Sequence, residues 1–326
     1  MAGTPITWEA DHLGPGFQST TLPLISDDEG QVCAVVVKYL PAEDPHALPH
    51  TPTDPHFSVL YIHGWNDYFY HPHLARRVAH AGGRFYALDL RKYGRALGAH
   101  QTPGYVTSLS TYDEDIHHAL RVIRAENEAG TDLVMMAHST GGLTAALWAD
   151  RHPGALRALI LNSPWLALQG SPLLRAISGP IASGAGWRRP SRIIPLPDNG
   201  FYHRSLIELG WTFNDQWRRL PSPPVRAGWL SAILSGHNAV ARGLEITCPV
   251  LVMTSQATNF STTYNERTLG ADTVLDVSQI RRAALNLGPL VTLAQFEGAI
   301  HDVFLSAEPV RLRAERELER WIHCYV

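Results

Sequence analysis

Lysine, cysteine and long apolar runs are all scarce in this chain of 326 residues. Lysine occurs only at Lys38 and Lys92, and the net charge is −3. With no basic surplus, no nucleic-acid face is expected. The cysteines are Cys33, Cys248 and Cys324, too few and too far apart for a disulfide framework or a zinc spacing. No apolar stretch reaches the roughly 18 residues of a membrane span. The first residues lack the positive and apolar regions of a secretion signal. The expectation is a cytoplasmic globular protein without stable membrane insertion, long enough for a large core and one inserted subdomain.

Histidine is plentiful, at 17 residues. His46, His50 and His56 fall in a proline-rich loop, His71 and His73 flank a proline, and His117 and His118 are adjacent. None repeats a ligand spacing with a third partner. They read as solvated surface histidines, and no metal or cofactor is expected.

Two strands are expected over 18–25 and 32–40, joined by a turn at 26–30. Five prolines within 41–55 forbid regular structure there. Strands at 57–62, 84–88, 133–136 and 156–161 then alternate with helices at 73–81, from Thr111, and at 142–149. A capping box is expected at Thr111 and Glu114. The strands are continuous apolar runs. The alternation therefore predicts an α/β architecture, a mostly parallel sheet buried on both faces by helices. It stops at Pro164. Residues 165–245 read as irregular and hold five of the nine tryptophans: Trp165, Trp187, Trp211, Trp217 and Trp229. This block is expected to be a cap inserted after the sixth strand, with 1–164 and 246–326 forming the core. Regular pattern resumes at Cys248, with strands to Thr254 and over 291–296 and a closing helix over 308–322.

The most informative segment is Asp132 to Leu143, in which an apolar run meets Ala137-His138-Ser139-Thr140-Gly141 and a helix follows. That is strand, sharp turn, helix, with a serine at the apex, one residue from the Gly-x-Ser-x-Gly nucleophile elbow. Such a turn exposes the hydroxyl, and the new helix offers its N–H groups to a developing oxyanion. Ala137 and Gly141 are expected to face each other at a close helix–strand crossing. His63-Gly64 ends a strand, so that the Trp65 N–H can join the Thr140 N–H as oxyanion donors. His301 follows the last strand on a loop, where an imidazole can take the serine proton and return it to the leaving group.

Taken together, His63-Gly64, Asp89 to Arg95, Ala137 to Gly141, Asn162-Ser163-Pro164, Cys248 to Val252 and Gly298 to His301 resemble the α/β-hydrolase superfamily. Within it the chain is similar to the monoacylglycerol-lipase-like and serine-aminopeptidase-like esterases. The resemblance implies the chain order serine, acid, histidine. It places the acid just after the strand ending at Thr254, where this sequence has no carboxylate. Gly270-Ala271-Asp272 resembles the acid segment displaced by an insertion, which favours Asp272; Asp276 is second and Glu266 third. The other family position offers only Asn162-Ser163, which cannot serve. Asp302 is expected to be structural, as are the ion pairs of Asp89 to Arg95.

The resemblance implies a serine carboxylic-ester hydrolase acting on a small-molecule ester, and the tryptophan-rich cap points to an apolar acyl or aromatic substrate. Gly64, His138, Trp165 and Trp211 are candidates to line its pocket. Amide or lactone hydrolysis by the same machinery is an alternative, and an inactive ligand-binding relative a third. The sequence leaves oligomeric state open.

Overall fold

The computed structural model describes residues 6–168, 189–196 and 198–326; Trp187 lies outside them. The main sheet has nine strands: β1 (Glu9–Ala10), β2 (Phe17–Pro23), β3 (Cys33–Tyr39), β4 (Phe57–Ile62), β5 (Gly83–Asp89), β6 (Asp132–His138), β7 (Ala158–Asn162), β10 (Val250–Ser255) and β11 (Val291–Phe296). Their spatial order is β1-β2-β3-β5-β4-β6-β7-β10-β11. The pairs from β1 to β5 are antiparallel, and every pair from β5 onward is parallel. This is the α/β-hydrolase fold. The two-residue β1 is too short to carry a sequence pattern. It makes β7 the seventh strand in chain order rather than the sixth.

The central strands are apolar throughout, yet their faces separate with period two. Leu60, Ile62, Met135, Leu159 and Leu161 point to one core, with α2 (Tyr112–Glu126) and α3 (Thr140–Arg151). Val59, Tyr61, Val134, Met136 and Ile160 point to the other, with α1 (Pro72–His80) and α7 (Glu308–Tyr325). Burial on both faces is what makes the runs continuous.

Between β7 and β10 lie β8 (Ile193–Ile194), α4 (Phe201–Glu208), β9 (Val225–Arg226) and α5 (Ala227–Arg242), with β8 and β9 forming a separate antiparallel pair. The expectation of irregular structure fails at α5, which runs for 16 residues. Its buried residues Trp229, Leu230, Ile233, Gly236, His237 and Val240 follow the helical repeat, but Gly228, Gly236 and His237 break up the apolar stripe that would mark it in sequence. The short α6 (Val277–Ala284) follows β10.

Two local expectations are also corrected. Thr111 makes no side-chain cap; Ser108 instead accepts from the Ser110 N–H in the turn before α2. Glu114 is taken by Arg91 and the Ile25 N–H. The surface reading fails for His71, which is 1% exposed and packed against Tyr61, Phe69 and Tyr70.

Candidate active site

The parallel register places Ile62 beside Ala137, His138 beside Asn162, and Asn162 beside Met253. The loops leaving β4, β6, β10 and β11 thus emerge along one carboxyl edge of the sheet, where open α/β sheets carry their sites.

Ser139 stands between β6 and α3 at φ +53°, ψ −117°. A non-glycine residue in that region is strained by about 1–3 kcal/mol and persists only where its surroundings enforce it. Here the Ser139 N–H donates to the Asn162 carbonyl at 3.1 Å, while its own carbonyl accepts from Gly142 and Trp165. The close crossing behind the turn is not between Ala137 and Gly141. A Cβ on Gly141 would fall on the carbonyl oxygen of His63, at the end of β4. Only glycine lets α3 start this close to that strand.

The segment after β10 shows how the acid is displaced. The chain leaves at Asn259 and returns through the short turn Glu266–Gly270. It closes on itself: the Asp272 N–H donates to the Ala257 carbonyl, and the Asn259 N–H to the Asp272 carbonyl. The insertion is a side excursion, and Asp272 sits beside Thr258, just past the strand end. One carboxylate oxygen accepts from the Val274 and Leu275 N–H groups, both at 2.8 Å. The other meets His301 Nδ1 at 2.8 Å, and His301 Nε2 lies 3.0 Å from Ser139 Oγ. Asp272, His301 and Ser139 are 0%, 2% and 8% exposed. Asp276 instead caps α6 through the Ser278 N–H, and Glu266 lies exposed in the excursion.

On the opposite side, His63 Nδ1 donates to the Gly64 carbonyl at 2.7 Å and Nε2 accepts from the Leu90 N–H at 3.1 Å. These partners fix the neutral tautomer. With the Gly64 carbonyl held, peptide planarity turns the Trp65 N–H away from it. Thr140 opens α3, so its N–H has no partner within the helix.

Two chambers meet at Ser139. One, of about 550 Å³, is the richer in polar side chains, with Asp67, Asp198, Asn199, Tyr202 and Arg218 in a wall that is otherwise mostly carbon. The other, of about 340 Å³, is apolar, with Trp65, Trp165, Trp229, Ile193 and Leu196. Gly64 and His138 line the polar chamber, and Trp165 the apolar one. Trp211 lines neither. Its indole N–H donates to the Leu305 carbonyl at 2.6 Å and its ring lies against His73, so it braces the loop after His301 from outside.

Several residues at the site escaped the sequence. Arg218 reaches Asp67 at 2.7 Å across 151 positions, with both side chains buried. Its guanidinium lies over Tyr202 and Phe213, and interaction with Asp67, Tyr70 and Tyr202 outweighs burial to raise its pKa. Tyr202 from α4 stands edge-on to His301, ring centres 5.3 Å apart. No local pattern signals such contacts. Asn162 reads in the sequence only as a missing acid, yet its carbonyl and both carboxamide atoms are engaged here. Burial lowers the pKa of His138 to about 4 despite its bond to the Asn162 carbonyl, so it stays neutral beside His301.

A strand-turn-helix serine, a buried histidine and a buried carboxylate at the carboxyl edge of such a sheet mark an α/β-hydrolase. Residues 53–308 match the family described as serine aminopeptidase, S33, and the chain belongs to that family. A monoacylglycerol lipase of Mycolicibacterium smegmatis is 34% identical over 139 residues, 40% of this chain and 48% of the relative. The match thus spans about half of that relative. Among solved structures, the monoacylglycerol lipase of Paleococcus ferrophilus superposes with a TM-score of 0.61 at 21% identity, covering 83% of this chain and 96% of the other. A soluble variant of monoglyceride lipase from Saccharomyces cerevisiae, bound to a substrate analog, gives a TM-score of 0.66 at 15% identity, covering 96% and 97%. At these identities the structural likeness is one of fold.

Proposed function

We propose that the protein is a serine hydrolase of carboxylic esters with an apolar acyl group and a small polar alcohol. The observation that carries this is the unbroken hydrogen-bond chain from Asp272 through His301 to Ser139 Oγ. Ser139 Oγ attacks the acyl carbon while His301 Nε2 takes its proton. The Trp65 and Thr140 N–H groups hold the developing oxyanion. His301 then protonates the departing alcohol, and water opens the acyl-enzyme by the same steps in reverse roles. Asp272 keeps the Nδ1–H tautomer and stabilises the imidazolium.

The walls support the choice of substrate. The apolar chamber suits the acyl chain, at about 0.8 kcal/mol per buried methylene, and the polar chamber suits the alcohol. The segment 165–245 serves as a cap over both, as its placement of Trp165, Tyr202, Arg218 and Trp229 supports. An aminopeptidase would offer a free carboxylate to the substrate's ammonium. Here Asp67 is paired with Arg218, and Asp198 accepts from the Gly200 and Ser222 N–H groups. That disfavours the amine-directed alternative, and the complete Ser139–His301–Asp272 chain disfavours an inactive binding protein. Monoacylglycerol, the substrate that the relatives' names imply, fits the paired chambers.

The test is hydrolysis of p-nitrophenyl acetate, butyrate, octanoate and palmitate, and of a monoacylglycerol, by the wild type and Ser139→Ala, with a fluorophosphonate probe alongside. Turnover and labelling that both disappear in the variant are expected. Undiminished turnover by Ser139→Ala would overturn the reading.

A further inference from the structure

We infer that Asn162, at the end of β7, is a positioning residue that locks the loop carrying His301 to the turn carrying Ser139. The inference rests on the serine-hydrolase reading. Asn162 is 0% exposed, and its carbonyl and both carboxamide atoms face the machinery. Its carbonyl accepts from the Ser139 N–H at 3.1 Å and from His138 Nδ1 at 3.1 Å. Its carboxamide oxygen accepts from the Val303 N–H at 3.1 Å, and its Nδ2 donates to Asp302 Oδ1 at 2.7 Å. The last two partners are the residues that directly follow His301 in the chain. One residue therefore joins the serine turn, through its main-chain carbonyl, to the histidine loop, through its side chain, although Ser139 and His301 lie 162 positions apart.

The chemistry selects a carboxamide. Val303 N–H can only donate and an ionised Asp302 can only accept, so the site needs one acceptor and one donor on a single planar group. This also fixes the orientation of the amide. A leucine fills the space but leaves the Val303 N–H buried without a partner and removes one of two hydrogen bonds to Asp302 Oδ1; the Phe304 N–H supplies the other. An aspartate keeps the shape and the acceptor. Its second oxygen, however, lies against the Asp302 carboxylate, where two negative charges cannot share the space. The pair then holds one proton between them at low pH and mimics the native bond. It loses that proton as the pH rises, and repulsion pushes the histidine loop away. Of the other titratable groups around Asp302, His138, His71 and His73 are histidines with pKa values lowered chiefly by burial, and Tyr61, Tyr70 and Tyr202 are buried phenols with raised ones, so none supplies a compensating charge at neutral pH.

The test is the pH dependence of kcat for Asn162→Asp and Asn162→Leu relative to the wild type, with melting temperature and fluorophosphonate labelling followed in parallel. For Asn162→Asp, the ratio to wild type is expected to fall by about tenfold or more between about pH 6 and about pH 9. A structural defect alone would not produce such a trend. For Asn162→Leu, kcat should fall by about tenfold or more at every pH while KM stays within about twofold. A flat ratio for Asn162→Asp would overturn the inference, as would wild-type kcat in a folded Asn162→Leu. If the leucine variant does not fold, the aspartate profile decides alone. A wild type that is neither labelled nor active would instead sink the serine-hydrolase reading, and this inference with it.

Discussion

The floor of the cleft and its roof are held by different physics. The floor is built from loop residues at one sheet edge, each fixed by backbone hydrogen bonds. Asp272 takes two N–H groups, His63 is clamped between Gly64 and Leu90, and Ser139 is held by Asn162. The roof is held by aromatic packing and a few long-range polar contacts, such as Trp65 against Trp229 at 4.2 Å and Arg218 on Asp67. Short, directional bonds hold angles and distances, and catalysis needs both. Packing and isolated ion pairs tolerate changes of shape. Under the proposed function, the difference gives the reaction to the floor and the substrate to the roof.

The largest effect should therefore come from the floor. Asp272→Asn is expected to lower kcat by about 10³–10⁴, because the amide favours the wrong imidazole tautomer. Binding of substrate should change little. Asp276→Asn should leave the rate unaltered, since asparagine caps α6 equally well. Steady-state kinetics on both variants decides between the two carboxylates, and a collapse in Asp276→Asn with an active Asp272→Asn would reverse the assignment.

Next comes the bond that ties roof to floor. Arg218→Met removes the partner of a buried Asp67 and should cost about 3–5 kcal/mol of stability. Joint replacement with Asp67→Asn should recover part of this, because the uncompensated charge is gone. Urea denaturation of the single and double variants reads both values. A single variant as stable as wild type would show that the roof does not depend on this pair.

A third prediction concerns acid. His138 in the floor and His237 in the roof both have pKa values lowered to about 4, chiefly by burial. Unfolded, each titrates near 6.5. The depressed folded value means that the unfolded state binds the proton first. Stability is full above about pH 6.5 and falls as the pH drops toward about 4. His237 donates to the Trp165 carbonyl at 2.8 Å, a role glutamine can keep. His237→Gln should therefore make the stability loss between about pH 6.5 and 4 shallower by up to one proton. Denaturant midpoints across that range measure the slope, and an unchanged slope would remove His237 from the acid response.

The same division explains what could be read from the sequence. The floor was legible because its chemistry is local: Ala137 to Gly141 fixes a turn, and His301 follows a strand. The segment of Asp272, the proposed acid, could be singled out by its resemblance because the excursion of 259–271 closes on itself and leaves that segment beside His301. The roof was not legible. Arg218, Tyr202 and Asp67 meet only in space, and glycines and a histidine interrupt the apolar side that α5 packs on α3. Trp211 failed as a pocket residue because tryptophan content shows that an aromatic packs, but not what it packs against.

The smallest effect should sharpen the roof's role without disturbing the fold. Ile193 lines the apolar chamber yet is 51% exposed, so it contributes little to the core. A long acyl chain would cover it; an acetyl group would not reach it. Ile193→Ser should lower kcat/KM for octanoate and palmitate esters by several-fold, roughly the 1 kcal/mol of a partly covered aliphatic side chain. Acetate hydrolysis and melting temperature should not move. A uniform loss across all chain lengths would mean that Ile193 acts on the floor, and the separation of reaction from substrate would fail at that wall.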